Sequence, residues 1–300
     1  MVVLLISRQL GLSHCFTASD NYYVKRKAST SAKVEPSNFE EMKEQYLLDI
    51  QAAVDIVDIP MDLVLNWDHT GVNIVPGSQW TLAEKGAKRV ECAGVDDKRQ
   101  ITIVVCGTAS GVFLPFQVIY KGKTPACLPR FVFPADWNVT FMENHWSNEE
   151  KTLEYIHKVI LPFIQKKCNE LKLPVDHGAL VIYDEFRGQL TDAVHLLLDE
   201  NHIYVVKVPP NCTDRLQPMD LAVNRSIKEF LRRKFRVWYS EEVTRKLAAN
   251  DTSIVDTRMS TMKPLGASWL KSLHEYLEQN MALAENGFKA AGIIDLFTNS

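Results

Sequence analysis

Three aspartates stand where a folded chain could bring carboxylates together. Asp68 closes the apolar run LVLNWD, Asp184 closes the run ALVIYD, and Asp220 opens a basic segment just after Pro218. Converging carboxylates repel one another unless cations neutralise them, and hard oxygen ligands favour Mg²⁺ or Mn²⁺. Two such ions, ~3.5–4 Å apart, can activate an attacking water or hydroxyl and stabilise the leaving oxygen of a phosphodiester. The three residues therefore predict a two-metal site for phosphodiester chemistry.

Each aspartate also has an ordinary structural interpretation. Asp68 is placed for an Asx-turn, Asp184 for capping the next helix, and Asp220 for the positive end of a helix dipole. Two nearby acids are rival ligands: Glu185 and Asp214. The joint placement favours a shared site, because ligands of open α/β sheets bind outside the carboxyl ends of the strands.

Apolar periodicity predicts an α/β protein whose strands carry the first two aspartates. The predicted strands cover residues 63–68, 88–94, 100–109, 113–120, 179–184 and 203–208. Short links favour antiparallel pairing among the early strands, whereas a helix at about 189–201 favours parallel pairing of the last two. We therefore expect a mixed sheet, with the last two strands parallel to the first. Residues 123–146, rich in proline and aromatic side chains, are expected to be irregular.

Capping boxes and apolar spacing predict the main helices. SNFE opens a helix over residues 37–57, and SNEE opens one over 147–172 that Pro162 is expected to bend. A basic amphipathic helix is predicted over 218–242. Residues 243–300 have a helical pattern and are expected to be appended to the sheet.

Composition indicates an ordinary globular chain. Of 300 residues, 46% are hydrophobic and 24% charged, and the formal net charge is -3 with a pI near 6.3. Any nucleic-acid contact must therefore come from a local basic patch rather than from a global excess. The six cysteines are scattered without zinc-site spacing, which predicts reduced thiols. No apolar run reaches membrane-spanning length, so no membrane contact is expected.

The predicted basic helix supplies such a patch. Its candidate nucleic-acid contacts are Arg225, Lys228, Arg232 and Arg233. The first three recur at three- and four-residue spacing and would form a phosphate-binding stripe beside Asp220. The alternative is a solvated helix face. The aromatic residues interleaved with these cations, Phe230, Phe235 and Trp238, are expected to pack in the core rather than to stack on bases.

Six motifs in order along the chain resemble one family. They are LNWDHTG, DDKRQITIVVCGT, FLPFQVIYKGKT, HWSNEE, VIYDEFRGQ and VPPNCTDRLQPMDLAVNRSIK. Together, over about residues 37–245, they resemble the DDE superfamily endonuclease domain of pogo/Tigger/Jerky-type transposases, to which a domain of centromere protein B is related.

The resemblance implies a fold and a site. It implies a ribonuclease H-like mixed five-stranded sheet flanked by helices, with a helical C-terminal appendage. The metal-binding triad maps onto Asp68, Asp184 and Asp220, with 35 residues between the last two, as is typical of this group. It also implies two Mg²⁺ or Mn²⁺ ions, DNA as partner, a homo-oligomer and a nuclear location.

The sequence departs from the family pattern at two places. After Asp184 it has Glu185, Phe186 and Arg187, where the family often has Asn or His. Residues 1–36 show no paired helix-turn-helix pattern for gripping transposon ends and are expected to be a loose or truncated leader. The predicted domains are this leader, an endonuclease domain over 37–245 and a helical extension over 246–300.

Three functions follow from these observations. The first is a transposon-derived, metal-dependent DNA endonuclease and strand transferase, favoured by the intact triad. The second is a domesticated nucleic-acid-binding nuclear protein without turnover, favoured by the missing DNA-reading module. The third, hydrolysis of RNA hybrids, has the right chemistry but no support from the motifs.

Overall fold

A six-stranded mixed sheet organises the chain. The computed structural model describes residues 38–76, 99–144, 147–184 and 191–298. The strands are β1 Val64–Asn73, β2 Gln100–Thr108, β3 Gln117–Lys121, β4 Asn138–Met142, β5 Ala179–Tyr183 and β6 Ile203–Lys207. The α-helices are α1 Phe39–Val57, α2 Glu149–Tyr155, α3 Leu161–Leu171, α4 Asp192–Glu200, α5 Thr213–Leu216, α6 Asn224–Ala248, α7 Met259–Glu278, α8 Ala282–Ala290 and α9 Asp295–Thr298.

The pairing of the strands confirms the expected mixed sheet. Their order is β4-β3-β2-β1-β5-β6. β2 pairs antiparallel with both β1 and β3, while β5 pairs parallel with both β1 and β6. The sheet has six strands rather than five, because β4 adds to β3 in parallel within the segment that was expected to be irregular. The strand predicted at 88–94 and the leader at 1–36 lie outside the described residues.

Strand β1 differs from its prediction at its end. It was expected to stop at Asp68 but continues to Asn73, paired with β2 down to Gln100. The turn-like HTG sequence is overridden because Thr70 and Val72 alternate into the core. Pairing of β1 with β5, in contrast, ends at Asn66. Asp68 therefore lies just beyond the parallel pairing, where β1 continues without β5.

Two helices contain a π-helical turn next to a proline. The predicted helix at 147–172 is α2 and α3 joined by a π turn at Ile156–Ile160, which ends two residues before Pro162. Proline has no backbone N–H to donate, so the regular hydrogen-bond ladder is interrupted there; the bend expected at Pro162 stays a prediction. A second π turn, Met219–Val223, follows Pro218 and leads into α6. This second turn carries Asp220.

One hydrophobic core joins the sheet to the C-terminal helices. Met262, Leu273, Leu277 and Phe288 are fully buried and belong to the same cluster as the strand residues. The helical character of the C-terminus is confirmed, and its apolar face packs against this core. The domain boundary at 245 stays a prediction. Within the described segments, no helix is both long and apolar enough to cross a bilayer.

Candidate active site

Asp68 and Asp220 meet at a single side-chain amide. Asn224, buried at the start of α6, donates through Nδ2 to Asp68 Oδ2 at 2.5 Å and to Asp220 Oδ1 at 2.6 Å. β1 supplies the first carboxylate, and the π turn before α6 supplies the second. Two of the three aspartates singled out in the sequence are thus brought together, although 156 residues separate Asp68 from Asn224.

The surroundings of the Asp68 carboxyl group disfavour its ionised form. Burial first, and the negative charge of Asp220 second, raise the pKa of Asp68 to about 7. The side-chain amide of Asn224 and the backbone N–H of His69 lower this pKa, and so does the nearby side-chain amide of Gln217. Neither the nitrogen nor the oxygen of the Gln217 amide makes a hydrogen bond of its own. A positive charge beside Asp68 would therefore favour its ionised form.

Asp184 lies at the end of the neighbouring strand. It follows the last residue of β5, and its Oδ2 accepts a hydrogen bond from Thr213 Oγ1 at 3.1 Å. The β1–β5 register pairs Asn66 with Ile182, so two residues further along each strand come Asp68 and Asp184. Within the described residues, no three His, Cys, Asp or Glu side chains form a group that could hold a metal ion. Asp184 is thus level with Asp68 in register, but the described residues do not bring it into a three-ligand cluster.

The rival acids are placed differently. Asp214 is exposed in the first turn of α5, next to the threonine that contacts Asp184. Glu185 lies outside the described residues. His69 follows Asp68 in β1, and since successive side chains of a strand point to opposite faces, its ring lies away from the carboxylates. Burial lowers the pKa of His69 to about 4, so its ring is neutral near pH 7.

A buried asparagine ties together the three elements that carry the aspartates. Asn66 Nδ2 donates to the Ile182 carbonyl oxygen at 2.8 Å, and its Oδ1 accepts from the Met219 backbone N–H at 2.9 Å. Each partner lies within two residues of an aspartate, as Asn66 itself does. Asn66 was not among the residues predicted to form the site. The sequence feature that could have indicated it is a polar side chain within an apolar strand, since a buried amide there requires hydrogen-bond partners.

We expect Asn66→Ala to lower the free energy of unfolding by about 2–4 kcal/mol, because it leaves a buried carbonyl and a buried N–H unpaired. The matched control is Asn73→Ala at the end of the same strand, whose side-chain oxygen accepts a hydrogen bond from the part-buried Gln100 side chain. That change should cost less than about 1 kcal/mol. Urea unfolding measures both. Equal losses would show that Asn66 has no special role in holding the strands and the π turn together.

The basic helix is less uniform than the sequence indicated. Arg225, Lys228 and Arg233 are exposed, but Arg232 is bound to Glu229 at 3.2 Å. Arg236 binds the same glutamate at 2.5 Å. The first two cations of the predicted stripe therefore remain accessible beside Asp220, whereas the third is partly neutralised.

Comparison with known proteins agrees with this architecture. Residues 98–281 match the model of the DDE superfamily endonuclease family, a range that contains Asp184 and Asp220 but begins after Asp68. The human protein "Pogo transposable element with KRAB domain" is 23% identical over 202 residues, which cover 67% of this chain and 30% of that protein. The mouse Jerky protein is 23% identical over 130 residues, covering 43% of this chain and 23% of that protein. The chain thus spans less than a third of the length of either relative.

A solved structure shares the fold. A pre-cleavage Mos1 transpososome matches with a TM-score of 0.52 and 12% sequence identity, covering 97% of this chain and 69% of that one. At this identity the likeness concerns the fold alone, and it confirms the ribonuclease H-like architecture. Because the family model matches more than half of its residues, the chain belongs to the DDE superfamily endonuclease family.

Proposed function

We propose that this chain is the catalytic domain of a transposon-derived, metal-dependent DNA endonuclease and strand transferase. The observation that carries the proposal is the pair of carboxylates, Asp68 and Asp220, held on one amide nitrogen of Asn224. Its membership of the DDE endonuclease family supports the same chemistry. DNA is the proposed partner, a homo-oligomer the proposed assembly and the nucleus the proposed location.

The donor set suits a hard divalent cation. Asp68, Asp184 and Asp220 would supply carboxylate oxygens, which Mg²⁺ and Mn²⁺ prefer. The raised pKa of Asp68 supports this fit, because a cation beside the carboxylate would stabilise its ionised form. Asn224 Oδ1 is buried without a hydrogen-bond partner, so the residue that contacts both aspartates also has an unused acceptor oxygen. When bound, two such ions supply activation of the attacking oxygen and stabilisation of the leaving oxygen.

The protein's own groups position these ligands. Asn224 fixes the separation of Asp68 and Asp220, and Thr213 orients Asp184. Such outer partners typically change metal affinity or activity by ~10–100-fold when they are removed. Neighbouring Arg225 and Lys228 would hold backbone phosphates without reading bases.

Nicking of supercoiled plasmid by the purified chain tests the proposal. Cleavage is expected with Mg²⁺ or Mn²⁺, little with Ca²⁺, whose longer and looser coordination misplaces the nucleophile, and none with EDTA. Metal-independent cleavage would contradict the two-metal mechanism. DNA binding without cleavage under any of these conditions would instead support the domesticated, non-catalytic alternative.

The basic helix should contribute a sequence-independent part of DNA affinity. We expect Arg225→Gln with Lys228→Gln to weaken binding equally for unrelated duplexes and to reduce the slope of log K against log salt by about 2, because each lost phosphate contact removes about one released counterion. Fluorescence anisotropy at several salt concentrations measures both quantities.

Arg232→Gln is the matched control within the same helix. Since its guanidinium is already bound to Glu229, its effect on the salt slope should be smaller than that of either exposed cation. Arg233→Gln, an exposed residue whose guanidinium carbon lies 5.3 Å from the Phe230 ring centroid, gives an intermediate case. An unchanged slope in the Arg225/Lys228 variant would contradict a phosphate-binding role for this face.

A further inference from the structure

A cavity of about 330 Å³ opens at the far end of β1. Its wall includes three cationic residues, Arg99, Lys121 and Lys263, together with Tyr120. The described residues that line it include no aspartate or glutamate. We call this cavity the Tyr120 pocket. A cluster of cations with no acid in its described wall is suited to an anion.

The Tyr120 pocket lies on the face of the sheet that carries Asp68. Val72 is four residues beyond Asp68 in β1, so the two side chains point to the same face. Val72, Tyr120 and Leu231 of helix α6 together line an adjoining apolar cavity, which also contains Lys263. Helix α6 therefore runs from Asn224, which contacts the carboxylates, to the apolar cavity that adjoins this pocket.

The Tyr120 hydroxyl is a buried donor without a partner. Its residue is only 2% exposed, and the hydroxyl makes no hydrogen bond. An unpaired buried hydroxyl costs ~1–3 kcal/mol, so such a group marks a place where a partner is missing. Burial raises the pKa of Tyr120 above its ordinary value, so the hydroxyl keeps its proton and can donate it in a hydrogen bond.

Two lysines line the pocket together with Tyr120. Lys263 Nζ lies 5.9 Å from the centroid of the Tyr120 ring and donates to the carbonyl oxygen of Cys127, an uncharged acceptor that leaves its positive charge in place. Lys121 follows Tyr120 at the end of β3 and is exposed. Arg99 lies directly before β2 and donates to the Thr257 carbonyl oxygen at 3.0 Å.

We propose that the Tyr120 pocket binds a phosphate group, supplied by the DNA backbone. Ammonium groups and a neutral hydroxyl donor are the contacts that phosphate oxygens receive in protein–DNA complexes. The choice of DNA as the source rests on the proposed function. Asn73, which faces Gln100 at the pocket, is five residues beyond Asp68 in β1. At ~3.3 Å per residue this is roughly 17 Å, or about five base steps of a duplex. The pocket would thus fix the duplex about half a helical turn from the cleaved bond.

The test compares variants that remove one contact each. Lys121→Gln removes an exposed charge, and Tyr120→Phe removes only the hydroxyl, so both should fold. The control is Lys123→Gln, two residues along, whose ammonium is paired with Glu143 at 3.0 Å and is not part of the pocket. All chains are full length and are assayed in EDTA, so that metal binding and cleavage do not contribute.

Two arms distinguish the source of the phosphate. With a labelled duplex, we expect Lys121→Gln to lower affinity about 5–10-fold and the salt slope by about 1, Tyr120→Phe to lower affinity about 3-fold, and Lys123→Gln to have no effect. With inorganic phosphate, matched to chloride in ionic strength, the melting temperature of wild type should rise more than that of either pocket variant.

The outcomes separate the pocket from the proposed function. Duplex binding that is equal in wild type, Tyr120→Phe and Lys121→Gln overturns the pocket as a DNA contact and leaves the endonuclease proposal standing. A phosphate effect that depends on Tyr120 and Lys121, without any duplex binding by wild type, supports a phosphate site and overturns DNA as its source. No dependence on either residue in both arms overturns the site altogether.

Discussion

Asparagine at position 68, 184 or 220 is expected to lower DNA cleavage in Mg²⁺ by more than about 100-fold. Loss of an outer partner of a metal ligand typically costs ~10–100-fold, and loss of a ligand itself should exceed that. Asparagine keeps the size and an acceptor oxygen of aspartate, so Asn224 and Thr213 retain a partner at each site. Single-turnover cleavage of a labelled duplex measures the rate.

Combining the three substitutions should add little to the effect of one, because groups that act as a unit are strongly non-additive. Asp214→Asn is the matched control, since Asp214 is an exposed acid in the first turn of α5. It should retain cleavage within a few-fold of wild type. Asn224→Ala should fall between the two classes. Equal rates in wild type and the three aspartate variants would show that these residues are not the catalytic set.

The second large effect concerns the metal-free protein. Because of Asp68, the free energy of unfolding of the metal-free protein should fall as the pH rises from about 4 to about 7. The pKa of Asp68 in the folded chain is raised to about 7, from an ordinary value of 3.8. In this window the folded chain holds a proton that the unfolded chain has released, so rising pH favours unfolding. A pKa shift of this size lowers the free energy of unfolding by at most about 4 kcal/mol above pH 7 and leaves it unchanged below pH 4.

Asp68→Asn removes this dependence. In EDTA at pH 8 the variant should unfold at a temperature several degrees above that of wild type, and at pH 4 the two should unfold together. Adding Mg²⁺ at pH 8 should stabilise wild type more than the variant, because a cation that binds only the folded state stabilises it. Scanning calorimetry across this pH range gives the comparison. Parallel pH curves for the two proteins would contradict the electrostatic strain at Asp68.

Local sequence patterns were sufficient for much of the sheet. The apolar runs that end at Asp68 and Asp184 predicted two parallel neighbours, and β1 and β5 pair as expected. Patterns failed where tertiary contacts override turn chemistry. The HTG sequence reads as a turn, yet β1 continues because β2 pairs with it to Asn73. Strand β4 was missed because it is short and lies among prolines, and its pairing comes from β3.

The residues that arrange the site could not be found by spacing. Asn66 contacts partners 116 and 153 residues away, and Asn224 reaches Asp68 across 156 residues. No local periodicity encodes such pairings. What the sequence does carry is the chemical type, a polar amide inside apolar surroundings, and that type becomes meaningful only once the strands and the π turn are placed.

Counting Mn²⁺ bound by wild type and by each aspartate variant, with cleavage measured in the same samples, tests the central claim most directly. If Asp68, Asp184 and Asp220 hold the ions that cleave DNA, wild type should bind about two Mn²⁺ per chain. Each asparagine variant should lose at least one of them together with its activity, while remaining folded. Electron paramagnetic resonance of free Mn²⁺ gives the count. Undiminished Mn²⁺ binding in all three variants, or cleavage that persists when binding is lost, would contradict the account.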